Sequence, residues 1–128
     1  VSNVVLTDDL SQFGTTITLI PSQEFYVSYD FQVSSSSCPT CNVQLVTGLS
    51  YLGSSSGACA YAGVPGVAPG MSGTESATLT APSSPGTYSV VVEYNQRASC
   101  GDALTNFGMG TAFFMQVIGQ IIVISGSS

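Results

Sequence analysis

Lysine, histidine and tryptophan are absent from these 128 residues, and Arg97 is the only basic side chain. Charged residues make up 6% of the chain, against about 25% in an ordinary soluble domain. Each absence closes a class of function. Phosphate backbones are held by clustered cations, so nucleic acid is not an expected partner. Without histidine there is neither an imidazole base nor a histidine metal ligand. Long hydrophobic runs are missing too. The most apolar stretch, Phe113 to Ile124, is broken by Gln116, Gly119 and Gln120, and a spanning helix needs about 20 mostly apolar residues. No membrane span is therefore expected. Disorder demands low hydrophobicity with high charge, the reverse of this 44% hydrophobic chain. No basic start leads into an apolar run, so no signal peptide is read, and an opening on Val1 suggests a processed chain.

What is present is alternation. Phe25, Val27, Tyr29, Phe31 and Val33 fall on one face of Phe25–Val33, and Tyr88, Val90, Val92 and Tyr94 repeat the pattern in Thr87–Gln96. This period of two marks strands. Further strands are expected within Asn42–Tyr51, Glu75–Ala81 and Thr15–Ile20, and shorter ones at Asn3–Leu6 and Ala58–Ala62. The chain closes on β-branched and aromatic Met109–Ile124, and Ser99–Phe107 reads as one short helical turn. Pro21-Ser22, the serines at 34–37, Gly53–Gly57, Val64–Gly73 and Ala81–Gly86 punctuate these runs. About seven to eight strands so spaced predict an all-β sandwich or barrel. A 13.1 kDa chain buries about two-thirds of its unfolded surface, enough for one core, so residues 1–128 are expected to form a single domain.

Around Thr78–Tyr88 a short strand, a proline-rich turn and Pro85-Gly86-Thr87-Tyr88 open an alternating strand. This resembles the corner of immunoglobulin-like domains in which a tyrosine hydroxyl anchors the turn. The ordered series Cys38-Pro39-Thr40-Cys41, Cys59 with Tyr61, Gly63-Val64-Pro65-Gly66, that corner and Cys100 is similar to cysteine-containing immunoglobulin-like modules of prokaryotic extracellular surface or filament proteins. The resemblance implies an immunoglobulin-like β-sandwich with Tyr88 as its fold anchor. The chain departs from the antibody pattern in lacking tryptophan and in the position of Cys100.

Four cysteines occur as one C-x2-C and two single residues. A four-sulfur zinc site prefers two C-x2-C knuckles, and a thioredoxin-like thiol needs a helix start. Neither setting is present, so Cys38, Cys41, Cys59 and Cys100 are read as two structural disulfides, which imply an oxidising compartment, outside the cell or in the unusual interior of a hyperthermophile. A Cys38–Cys41 bridge closes a very small loop, so pairing of each with Cys59 or Cys100 is the expectation.

The remaining candidates are weighed against plainer readings. Asp8-Asp9 with Asp30 or Asp102 lacks calcium-loop spacing, and Glu24, Glu75 and Glu93 have nothing to bring them together as a hydrolytic pair. The loop Gly63–Gly73 has no lysine to serve a phosphate cradle. Arg97 reads as the partner of Glu93 or Asp102, and Tyr29, Tyr88 and Tyr94 as core. No enzyme, cofactor or metal is expected.

Both ends invite association. Sixteen residues from Met109 to Ile124 exceed a typical strand. Gly119 is expected to place a bulge, so that one long strand bends across both sheets, or Gly119–Ile124 to join the edge of a neighbouring molecule. Edges of soluble monomers are protected by lysine, other charges or proline, and this terminal run carries no charge. Segments 1–10 and 119–128 are thus possible strand-exchanging tails, with Val4, Val5, Leu6, Ile121, Ile122, Val123 and Ile124 as interface candidates. The expectation is a structural subunit of an extracellular, cell-surface filament or appendage, a homopolymer assembled by β-strand complementation. The alternative is an adhesion or carbohydrate-binding module with surface glycans as partners.

Overall fold

The computed structural model describes residues 1–8, 12–50, 57–105, 107 and 114–125. The punctuation at Gly53–Ser56, residue Tyr51, Asp9–Leu10 and residues 109–113 of the expected C-terminal run lie outside the described residues.

The strands fall where alternation places them. They are β1 (Ser2–Thr7), β2 (Phe13–Gly14), β3 (Thr16–Leu19), β4 (Glu24–Val33), β5 (Val43–Leu49), β6 (Ala58–Gly63), β7 (Met71–Thr80), β8 (Gly86–Asn95) and β9 (Phe114–Val123). The helical turn is α1 (Cys100–Thr105). Nine strands among the described residues exceed the expected seven to eight, because the chain makes a two-residue pairing, β2, before it reaches β3. In addition β7 starts at Met71, inside what reads as a glycine-rich loop, because it follows β4 over its whole length from Glu24↔Thr80 to Val33↔Met71.

Two sheets result. One has the order β2-β1-β4-β7 and the other β3-β9-β8-β5-β6. All pairings are antiparallel except β3 with β9. The inward faces share one apolar cluster, in which Phe25, Val27, Tyr29, Phe31 and Val33 of β4 meet Val90 and Val92 of β8 and Ile118, Ile121 and Val123 of β9. Tyr29 places its hydroxyl 2.6 Å from Thr47 Oγ1, which satisfies a polar tip inside that core. Burial raises the Tyr29 pKa, an effect that the Thr47 bond partly offsets.

The five-stranded sheet is also covered on its other face. Every residue of β5 is buried, and Val46 and Val91 form a second cluster with Ala103 and Phe107, flanked by Leu104. The connection from β8 to β9 supplies that cover through α1. Ser99 caps the helix, its hydroxyl accepting from the Asp102 N–H at 3.2 Å, and Asp102 sits in the first turn where the helix dipole favours an acid. The pair Gln44↔Asn95 carries the polar part of this face. The Gln44 side chain takes both the N–H and the C=O of Arg97, substituting for a strand partner.

Candidate self-association cleft

The disulfides pair differently from expectation. Cys38 bonds Cys41, and Cys59 bonds Cys100. The small loop is accommodated because the chain turns tightly there. Ser35 C=O accepts from the Cys38 N–H at 3.2 Å, and Cys38 C=O accepts from the Cys41 N–H at 3.0 Å, bringing the Cα atoms of Cys38 and Cys41 to 5.4 Å, within disulfide range. Cys59 on β6 instead staples the start of α1, so this bridge holds the cover on the outer face of the five-stranded sheet. Between them the two bridges use all four cysteines.

The Tyr88 hydroxyl donates to Ser84 C=O at 2.7 Å across the proline-rich turn. Tyr29 is buried, and Tyr88 and Tyr94 pack against the core. Arg97 Nη1 lies 3.6 Å from Asp102 Oδ1. The other carboxylates are dispersed. Asp8 holds Gln12, while Asp30 on β4 accepts from Asn3 of β1 and Thr74 of β7, each at 2.7 Å. These bonds hold the Asp30 pKa below its ordinary value. Glu93 is buried in the other sheet.

The interface candidates lie within the chain's own sheets. Leu6, Ile121 and Val123 are core, and Val4 packs against it. Val5 sits opposite Ser28 of β4. Ile122 is exposed but pairs with Thr87, and the Ile124 N–H donates to Leu19 C=O at 2.9 Å. Gly119 lies at a bulge, since Val90 faces Gly119 and Val91 faces Val117. A side chain there would meet Thr15 O at 2.7 Å and Leu6 Cδ1 at 2.8 Å. Glycine thus lets the crossing chain and β1 close over β9. The strand remains in one sheet rather than bending across both.

The other half of β9 is different. β3 accompanies β9 only from Gln120 to Val123, so among the described residues no strand flanks Phe114–Ile118 on that side. Phe114, Met115 and Val117 are 70%, 57% and 56% exposed. Facing them across the gap is the end of β4, which outruns β1, whose last pair is Ser2↔Asp30. Between them opens a cavity of about 300 Å³ lined by Val1, Gln32, Val33, Ser34, Leu45, Val92, Tyr94, Phe114, Met115 and Gln116. None of these side chains is charged. The walls are fixed. Tyr94 donates to Ser34 C=O at 2.9 Å and stacks edge-on against Phe114 with centroids 5.6 Å apart. The loop before β7 is pinned to β4 where Gln32 Nε2 donates to Pro69 C=O at 3.0 Å. Gly70, at φ +70°, passes so near Val33 that a side chain would strike its carbonyl oxygen.

Sequence reading named Val4, Val5, Leu6 and Ile121–Ile124 as interface candidates and did not single out Phe114, Met115 and Val117, the exposed apolar side chains of the first half of β9. Composition offers no signal for the difference, because both halves are apolar and uncharged. No family model, curated protein or solved structure matches the chain.

Proposed function

We propose that this chain is a structural, non-catalytic subunit that assembles with copies of itself at the cell surface through strand pairing, and that the cleft between the end of β4 and the start of β9 is where copies meet. The observation that carries the reading is the edge Phe114–Val117. It has β8 on one side, no described strand on the other, three exposed large apolar side chains, and no lysine, proline or charged side chain of its own, the neighbouring charge being the Val1 ammonium, which donates to Gln116 Oε1 at 3.1 Å. Such edges are the sites at which sheets extend from one molecule to the next. Two disulfides are compatible with an extracellular location.

An immunoglobulin-like topology is part of the same reading. The order β1-β4-β7 against β9-β8-β5-β6 corresponds to strands A, B and E of that fold facing G, F and C, with β6 as an added strand beside C. Tyr88 supports it at the corner between β7 and β8. An edge used between copies is heterologous and propagates into an open fibre unless its rotation closes a ring. Negative-stain microscopy of native material tests the proposal. Filaments are expected, with Val117→Lys abolishing them while leaving the fold intact. Monodisperse particles of one chain would overturn it.

A further inference from the structure

The large apolar side chains that reach solvent are gathered at the two ends of the sandwich. At the cleft end Phe114, Met115 and Val117 open β9, Met71 opens β7, and Val64 and Val67 lie in the connection to β7. That connection is tied to the end of β4, where the Ser35 N–H donates to Gly66 C=O at 2.7 Å. At the opposite end Phe13 and Tyr26 both pair with Thr7, the last residue of β1. Ile122 lies there too, and Ile20 and Ile124 stand side by side, one step beyond the pair Leu19↔Val123. Between the ends the outer side of the four-stranded sheet is polar, with Ser28 paired to Ser76 and Asp30 to Thr74. Among the described residues the exposed large apolar side chains thus form two poles separated by a polar flank.

Two copies can join these poles in three ways. Joining cleft to cleft, or opposite end to opposite end, leaves one apolar pole of every copy in water. Two opposite ends would also set Asp8 and Glu24, which lie there, against their own copies, on a chain of net charge −6. Joining opposite end to cleft covers both poles. It also brings those acids toward the end that holds Arg97 and the Val1 ammonium.

Stacking in one orientation suits the bare edge as well. β3 runs parallel to β9 and begins at Thr16↔Gln120, so the space beside Phe114–Ile118 is the same lane before β3 enters it. β9 leaves the molecule at the opposite pole. In a copy stacked there in the same orientation, the residues after Val123 head into this lane in the direction that β3 takes further along. Residues 124–128 bear no charged side chain, matching a cleft whose lining bears none. They span about 16 Å when extended, against about 13 Å for the four-residue edge. Val1 meets the edge through the Gln116 side chain at 3.1 Å, and β8 is the only described strand paired with Phe114–Val117.

Resting on the self-assembly reading, we propose that the cleft receives the opposite pole of a second copy: residues 124–128 lie beside Phe114–Val117, parallel to β9, and Ile20 seats against the cleft. Each copy then gives one end and takes the other, a heterologous contact that repeats along a line.

Mixing two lysine variants tests this. Val117→Lys blocks the cleft end and Ile124→Lys the opposite pole, with Ile20→Lys in its place should Ile124→Lys not fold. Ile20 and Ile124 are 52% and 45% exposed, so circular dichroism should show the native fold in the variants. Each variant alone should sediment as a single chain. Equal amounts of Val117→Lys and the pole variant should give a species of about twice 13.1 kDa and nothing larger, because one intact cleft and one intact pole remain between them. Filaments from the pole variant, or a mixture that stays monomeric, would overturn the end-to-end assignment and leave the assembly reading standing. Wild-type protein that stays monomeric would overturn both.

Discussion

The two halves of β9 have nearly the same chemistry and opposite fates. Gly119–Val123 runs between β8 and β3 and buries Ile121 and Val123 completely. Among the described residues Phe114–Val117 has one neighbouring strand, and it leaves its apolar side chains in solvent. The difference teaches that absence of charge does not make a strand sticky. What matters is whether another strand satisfies its far edge, and β3 satisfies only the second half. Gly119 divides the halves, since the bulge and the close passage of Thr15 both fall there.

Substitution on each side of that divide gives the sharpest contrast. Ile121→Ala should destabilise the fold by about 2–5 kcal/mol in urea unfolding, because it leaves a cavity in a packed core. Val117→Ala should change stability by no more than about 0.5 kcal/mol, as exposed positions do. Equal losses at both would erase the distinction between a buried and an open half.

The disulfides extend the comparison to the covering layer. Replacing Cys59 and Cys100 by serine releases a loop spanning 41 positions, worth about 4 kcal/mol by chain entropy. The same change at Cys38 and Cys41, three positions apart, should cost about 2 kcal/mol. Hydrogen exchange should show amides of β5 and β8 losing protection in the first variant and keeping it in the second, because only Cys59–Cys100 holds α1 over that face.

A smaller effect separates the sheets by pH. The folded pKa of Asp30 is depressed by its bonds from Asn3 and Thr74. Its contribution is therefore complete above the unfolded value, ordinarily 3.8, and is lost as pH falls through the lower folded value. The midpoint of thermal unfolding should stay nearly level from pH 8 to 5 and fall below about pH 4. In Asp30→Asn that fall should be shallower. An unchanged acid profile in the variant would remove Asp30 from the account.

Much of this architecture was legible in the residues. The alternation in β4 and β8 placed their core faces correctly, since period two leaves one assignment for residues such as Phe25, Val27 and Tyr29. The resemblance of Pro85-Gly86-Thr87-Tyr88 to an immunoglobulin-like corner singled out Tyr88, whose hydroxyl donates to Ser84 C=O. What stayed hidden depends on contacts between distant segments. Val46 and Val91 lie on the face that alternation assigns to solvent, and α1 together with Phe107, tied to β6 by Cys59–Cys100, packs over them. The small Cys38–Cys41 loop closes because of hydrogen bonds around Ser35, which spacing alone does not reveal. The cleft depends on where β1 and β3 stop, a matter of register rather than of composition.

The central claim is that the bare edge at Phe114–Val117 joins one copy to the next, and light scattering of purified wild type beside Val117→Lys measures it most directly. The account predicts large, concentration-dependent assemblies from the wild type and a folded, single 13.1 kDa species from the variant. Identical scattering from the two, whether both monomeric or both assembled, would contradict it.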